Sequence, residues 1–246
     1  MARNVCEELI RILQDAGVEE IFGVTGDALN PFLDGIRRQD QLRWIAVRHE
    51  ETAGYAATAQ SQITGRLGVC AGTVGPGALH LLNGIYNAKK EGAAVLAITG
   101  QVPRAESGTG FFQEVNLSKV FDDVCVFQQA IDSPDQMPRV AQLAIQEALS
   151  CRGVARLEIP ADVGPLKVRS RSLSHAVFIP DSEMLPRASD LDQAAEVLNR
   201  ARKVTLLVGS GCRGARDELI AVAEKLKAPI VHALKGSDVM EHDHPL

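Results

Sequence analysis

Apolar residues recur along the chain in two alternating patterns. Val5, Leu9 and Ile12 are spaced three or four positions apart, as on the buried face of a helix, whereas residues 67–71 and 93–99 form nearly continuous apolar runs. Continuous runs that alternate with helical stretches are typical of parallel strands covered on both faces. The pattern therefore predicts an α/β fold with a doubly wound parallel sheet.

This alternation continues to about residue 160 and then stops. Residues 161–188 contain several prolines and no sustained period, which predicts an interdomain linker. From residue 189 a helix, a strand, a glycine turn at residues 209–214 and a further helix indicate the start of a second, Rossmann-like α/β domain. We therefore expect one domain at residues 1–160, a linker, and a truncated central domain at residues 189–246.

Composition and charge narrow the class of protein. The 246 residues are 46% hydrophobic with a formal net charge of -5, which is typical of a globular protein. Lys and Arg are scattered, so we expect no nucleic-acid partner, and no apolar run is long enough for a membrane segment. The five cysteines lack paired spacing and no signal peptide precedes them, so we expect reduced thiols and a cytoplasmic location.

An acidic segment follows the second predicted strand. This strand, predicted to be buried, runs into Arg48, His49, Glu50 and Glu51, and a helix rich in Ala and Gly begins at once. Ligands of doubly wound sheets bind at the carboxyl ends of the strands, which favours a ligand-binding carboxylate. Acids at a helix N-terminus also stabilise the helix by about 0.3–1 kcal/mol. The segment alone leaves both interpretations open.

Three loops contain further candidate chemistry. Residues 72–77 form a glycine-rich turn through which a ligand can approach the backbone, although neither a dinucleotide fingerprint nor a P-loop lysine is present. In residues 106–114, Phe111 and Phe112 fit either an apolar wall beside a ligand or a plug of the core. Residues 209–214 fit either approach to a phosphate or a tight structural turn.

Two histidines are candidates for metal or acid–base chemistry by residue type alone. His49 does not belong to an H-E-x-x-H motif, because residue 53 is Ala. For His49 and His80 we therefore predict a structural or supporting role.

Five ordered motifs span nearly all of residues 18–123. They are Gly23-Val24-Thr25-Gly26-Asp27, Arg48-His49-Glu50-Glu51, Gly75-Pro76-Gly77 with Asn83-Gly84, Ala97-Ile98-Thr99-Gly100-Gln101-Val102-Pro103, and Phe112-Gln113-Glu114. Together these motifs resemble the thiamine diphosphate-dependent decarboxylases and oxidases, the family of pyruvate oxidase, acetolactate synthase and pyruvate decarboxylase. Thr25-Gly26-Asp27 and residues 209–236 are most similar to the bacterial quinone-dependent pyruvate oxidases, whereas residues 99–103 would also suit an acetolactate synthase.

The resemblance implies that residues 1–160 bind the aminopyrimidine half of thiamine diphosphate. Glu50 would be the catalytic carboxyl that hydrogen-bonds N1′ of the ring, a role suited to an apolar site where the protonated carboxyl is favoured. The activated cofactor then attacks a 2-oxo acid and holds the electrons left after loss of CO₂. The implied contacts are Gly26, Thr73, Pro76 and Asn83 to the pyrimidine, and Gly209, Ser210, Gly211 and Gly214 to FAD in the full-length protein. Phe112 and Gln113 would face the substrate from the partner subunit.

The resemblance also indicates what residues 1–246 do not contain. The family holds Mg²⁺ and the diphosphate through a Gly-Asp-Gly…Asn motif of a C-terminal domain, so we expect no metal ligands in this chain. We expect a homodimer or homotetramer, a small 2-oxo acid such as pyruvate as substrate, and no turnover by this chain alone. An acetolactate synthase-type carboligase and a non-catalytic truncated dimerisation module remain as alternatives to a pyruvate oxidase.

Overall fold

The computed structural model describes residues 3–169 and 185–246. It divides into two compact units, Met1–Asp181 and Ser182–Leu246. Of the predicted linker, residues 170–184 lie outside the described residues. Residues 161–169 pack on the first unit, because Val163 and Val168 are buried in its core and Leu166 O accepts a hydrogen bond from Val5 N at 3.0 Å. The first unit thus extends past residue 160 to at least residue 169.

The first unit alternates strands and helices as predicted. Its described strands are β1 (Glu20–Gly23), β2 (Arg43–Ala46), β3 (Gly68–Gly72), β4 (Val95–Gln101), β5 (Cys125–Ala130) and β6 (Val154–Pro160). Its described helices are α1 (Val5–Asp15), α2 (Asn30–Arg37), α3 (Glu50–Thr64), α4 (Pro76–His80), α5 (Leu82–Glu91), α6 (Leu117–Val120) and α7 (Met137–Cys151).

The six strands form one parallel sheet in the order β2-β1-β3-β4-β6-β5. Buried side chains of α1, α2 and α7 cover one face. Those of α3, α4, α5 and α6 cover the other. Such two-sided burial explains the continuous apolar runs, since side chains on both faces of each central strand are removed from water. The predicted doubly wound α/β fold is confirmed.

Two local predictions were wrong. The strand before Glu50 is not buried, since β2 lies at the edge of the sheet with Arg43 and Ala46 exposed. The helix predicted at residues 78–89 is divided into α4 and α5. At the division Leu81 N donates to Ala78 O at 3.2 Å, three residues back, which tightens the turn between the two helices.

The second unit has the same alternation on a smaller scale. It contains α8 (Ala188–Arg200), β7 (Leu206–Val208), α9 (Arg216–Leu226) and β8 (Ile230–His232). The strands β7 and β8 are parallel, with Leu206 opposite Ile230. Nowhere in residues 3–169 or 185–246 is a helix both long and apolar enough to cross a membrane.

The helices α3 and α5 are in backbone contact. A Cβ added at Gly84 would lie 2.6 Å from Gly54 Cα, and one added at Gly54 would lie 2.8 Å from Gly84 Cα. Thr58 Oγ1 donates to Gly54 O at 2.8 Å and also contacts Gly84 O at 3.2 Å. Only residues without a side chain allow this approach, so the two glycines fix the position of α3 against α5.

We predict that Gly84→Ala lowers the free energy of unfolding by about 1–3 kcal/mol, the usual cost of overpacking. This loss should appear although alanine favours a helix by up to about 1 kcal/mol over glycine. Urea denaturation measures it. Gly35→Ala in α2 is the matched control, because its Cβ would meet the flexible Cδ1 of Ile10. A Gly84→Ala protein as stable as the control would contradict the prediction.

Candidate active site

The turns after β1, β2 and β3 meet at one edge of the sheet. Gly23 at the end of β1 lies opposite Ala46 at the end of β2 and Ala71 in β3. Because the strands are parallel, the segments that follow them emerge on the same side. The candidate residues at 25–27, 48–51 and 72–77 are therefore neighbours in space.

Glu50 is the first residue of α3 and is buried, with 7% of its surface exposed. Its Oε2 is 3.0 Å from Nδ1 of His80 in α4. Its Oε1 faces Gly77, where an added Cβ would lie 3.1 Å away, and has no hydrogen-bond partner in the described part of the chain. One oxygen of a buried carboxyl group is thus held by a histidine, and the other is available to a ligand.

Gly26 and Thr73 lie against each other beside this carboxyl group. A Cβ at Gly26 would be 2.4 Å from Thr73 Cβ, and one at Gly77 would be 2.7 Å from Thr73 Cγ2. Pro76 starts α4 directly after Gly75, whose φ of 57° places it in the left-handed region that favours glycine. The structure therefore brings Gly26, Thr73 and Pro76 to the segment around Glu50.

Asn83 contacts the neighbouring acid. Its Nδ2 donates to Glu51 Oε1 at 3.1 Å. Glu51 N in turn donates to His49 Nδ1 at 3.3 Å, so His49 caps the start of α3. Glu51 thus stabilises the helix start and anchors Asn83, as the electrostatic interpretation of an acid at this position predicts.

The two histidines form a pair that the sequence did not reveal. The rings of His49 and His80 stack with centroids 4.3 Å apart and an angle of 28° between their planes. The ligand atoms of His49, Glu50 and His80 all lie within 4.8 Å of one another. One feature of the sequence could have indicated this pair. His80 comes one helical turn after Pro76, in the helix that starts at the glycine turn next to Glu50.

The loop before α6 reaches the same glycine turn through its backbone. Phe111 and Phe112 are 44% and 78% exposed, which excludes the alternative that they fill the core of this unit. Gln113 has a φ of 66°, and its carbonyl oxygen would be 2.2 Å from a Cβ at Gly75. The carboxylate of Glu114 accepts hydrogen bonds from the backbone N–H groups of Gly108 and Gly110 and so closes the loop.

The thiol nearest in sequence to the site is unreactive. Cys70 in β3 is fully buried, and burial raises its pKa to about 12, so it stays protonated at neutral pH. All five cysteines are free thiols, as predicted.

The glycine turn of the second unit follows β7. A Cβ at Gly209 or Gly211 would meet nothing within 4 Å, and Gly214 has a φ of 84°. Ser210 begins the single helical turn Ser210–Cys212. This segment leaves its backbone open to a ligand.

The sequence matches two domains of one family. Residues 3–120 match the N-terminal TPP binding domain of the thiamine pyrophosphate enzymes, and residues 191–246 match their central domain. Together these matches cover well over half of the chain. The chain belongs to the thiamine pyrophosphate enzyme family, as its motifs predicted.

Individual relatives support the same family. The chain is 43% identical to an uncharacterised 42.6 kDa protein of Pseudomonas amyloderamosa over 98% of its length and 61% of that protein. It is 34% identical to an acetolactate synthase of Arthrospira platensis over 97% of its length and 43% of that protein. It is 29% identical to a pyruvate oxidase of Lactiplantibacillus plantarum over 96% of its length and 40% of that protein. The chain thus spans less than two thirds of each relative.

The two hydrogen bonds that the Glu114 carboxylate accepts from Gly108 N and Gly110 N should protect these amides from exchange. In Glu114→Gln the amide retains one acceptor oxygen, so one of the two loop N–H groups loses its partner. A hydrogen bond to a charged group contributes about 1.5–3 kcal/mol, and hydrogen exchange at Gly108 or Gly110 should therefore accelerate at least about tenfold.

Amide exchange followed by NMR measures this effect. Glu106→Gln in the same loop is the control, since its side chain makes no hydrogen bond or ion pair described in the structure. Equal exchange in the two variants would show that Glu114 does not hold the loop.

Proposed function

We propose that the full-length protein catalyses the thiamine diphosphate-dependent decarboxylation of a small 2-oxo acid such as pyruvate. The first unit would supply the aminopyrimidine half of the cofactor site. The observation that carries the proposal is the buried carboxyl group of Glu50, held by His80 at the edge where the candidate turns meet. Membership of the thiamine pyrophosphate enzymes supports it.

The residues around Glu50 fit an aminopyrimidine ring. The ring presents a nitrogen that needs a carboxyl partner, and Glu50 Oε1 is the oxygen without a described partner. A flat ring also needs close access to its partner, and Gly77 leaves that oxygen uncrowded because a side chain there would lie about 3 Å away. Gly26, Thr73, Pro76 and Asn83 would line the ring.

When bound, the cofactor supplies a carbon nucleophile and an electron sink for the decarboxylation. Glu50 holds a proton at Oε1 and shares it with the ring nitrogen. His80 keeps the carboxyl group oriented through its Nδ1. Phe112 and Gln113 contact the substrate, Phe112 as an apolar wall that excludes water and Gln113 as a polar group.

Other parts of the full-length protein would complete the site. We propose that Mg²⁺ and the diphosphate are held by residues outside this chain, in another subunit of a homodimer or homotetramer. In an oxidase, Gly209, Ser210, Gly211 and Gly214 would contact the nucleotide half of FAD. The open backbone of this turn, at the carboxyl end of β7, supports that assignment.

Two reactions are candidates for the step after decarboxylation. The motif Thr25-Gly26-Asp27 favours a pyruvate oxidase with a quinone acceptor, whereas similarity to acetolactate synthases favours a carboligase. Full-length protein incubated with pyruvate and a quinone separates them. We expect acetate and reduced quinone; acetolactate with the quinone unchanged would establish the carboligase.

For Glu50 we predict that Glu50→Gln in the full-length protein lowers kcat by about 10²–10⁴, the usual contribution of a general acid–base group. Steady-state turnover of pyruvate measures it. Glu19→Gln is the control, because Glu19 is exposed and pairs with Arg66 away from the site. Turnover that stays within a few-fold of the unmodified protein in Glu50→Gln would refute the role.

A further inference from the structure

We propose that His49, Glu50 and His80 also form a binding site for a transition-metal dication such as Zn²⁺. Their ligand atoms lie within 4.8 Å of one another, and no other group of three or more His, Cys, Asp or Glu in residues 3–169 and 185–246 meets that condition. Two imidazoles and one carboxylate are a donor set that holds Zn²⁺ in enzymes, with water in the fourth position.

The distance between His80 and Glu50 suits a bridging ion. The two ligand atoms are 3.0 Å apart. A tetrahedral ion with bonds of about 2.0–2.2 Å separates adjacent ligands by roughly 3.3 Å. A widening of only a few tenths of an ångström therefore replaces the hydrogen bond by two metal bonds.

His49 would be the third ligand, once its ring turns from its stacked position on His80 and exchanges the hydrogen bond from Glu51 N for the ion. It already stacks on His80 at 4.3 Å. Its side chain is 49% exposed and that of His80 is 46% exposed, so both rings can turn and water can reach the remaining coordination position.

Charge also favours a cation here. Glu50 is buried, and neither a lysine nor an arginine forms an ion pair with it within the described ranges. A dication would compensate its charge in a site of low dielectric constant. Nitrogen-rich donor sets select Zn²⁺, Cu²⁺ or Ni²⁺ over Mg²⁺ and Ca²⁺, so this site differs in chemistry from the Mg²⁺ site of the proposed function.

The ion and the cofactor would compete for Glu50, a consequence that rests on the proposed function. The ion would bind the deprotonated carboxylate through Oε2, beside His80, whereas the ring would share the proton that the carboxyl group holds at Oε1. The two ligands therefore need different states of the same carboxyl group and exclude each other. Zinc would thus act on this protein as an inhibitor that thiamine diphosphate displaces.

Calorimetric titration of the metal-free chain with ZnCl₂ tests the site. We expect one ion per chain, and at least about tenfold weaker binding in His49→Asn, His80→Asn and Glu50→Gln. His232→Asn and Cys151→Ser are controls for zinc bound by a distant histidine or by the exposed thiol. Circular dichroism checks that each variant is folded.

The outcomes separate the two proposals. Zinc affinity that is equal in the three ligand variants and the unmodified chain, or that falls in the controls instead, overturns the metal site. Repeating the titration of the full-length protein with thiamine diphosphate tests the competition. If the ligand variants lose zinc but thiamine diphosphate leaves the zinc affinity unchanged, the metal site stands and the placement of the cofactor at Glu50 fails.

Discussion

The backbone contact between α3 and α5 determines the geometry of the candidate site. Gly54 and Gly84 pack without side chains between them, and Thr58 hydrogen-bonds the backbone of both helices. Glu50 begins α3, and Asn83 immediately precedes Gly84 in α5. A wider separation of the helices would move Asn83 away from the acids at the start of α3. Close packing between two glycines therefore sets the positions of the polar side chains.

Much of the fold was predictable because its signals are local. The apolar runs of β3 and β4 are buried on both faces, and such a strand has no exposed polar face to alternate with. The order of the strands was not predictable. β2 lies at the edge and β6 lies between β4 and β5, and these neighbours are chosen by packing between segments that are distant in sequence.

The sequence also predicted which residues of the candidate site lie close together, but not all of their contacts. Glu50, Gly26 and Thr73 each follow a strand, and parallel strands bring such residues to one edge. The contact between His80 and Glu50 was not predictable, since it depends on where α4 starts and on the orientation of one ring. The exposure of Phe112 was also not predictable from the sequence, because two adjacent phenylalanines fit either a core or a surface.

The proposed function depends on contact between the carboxyl group of Glu50 and the aminopyrimidine ring. The distance from Glu50 Oε1 to N1′ in a crystal structure of the full-length protein with thiamine diphosphate measures this contact. We predict a hydrogen bond of about 2.6–3.0 Å with Oε2 still beside His80. A bound cofactor whose N1′ is held by another group, with Glu50 contacting only His80, would contradict the account.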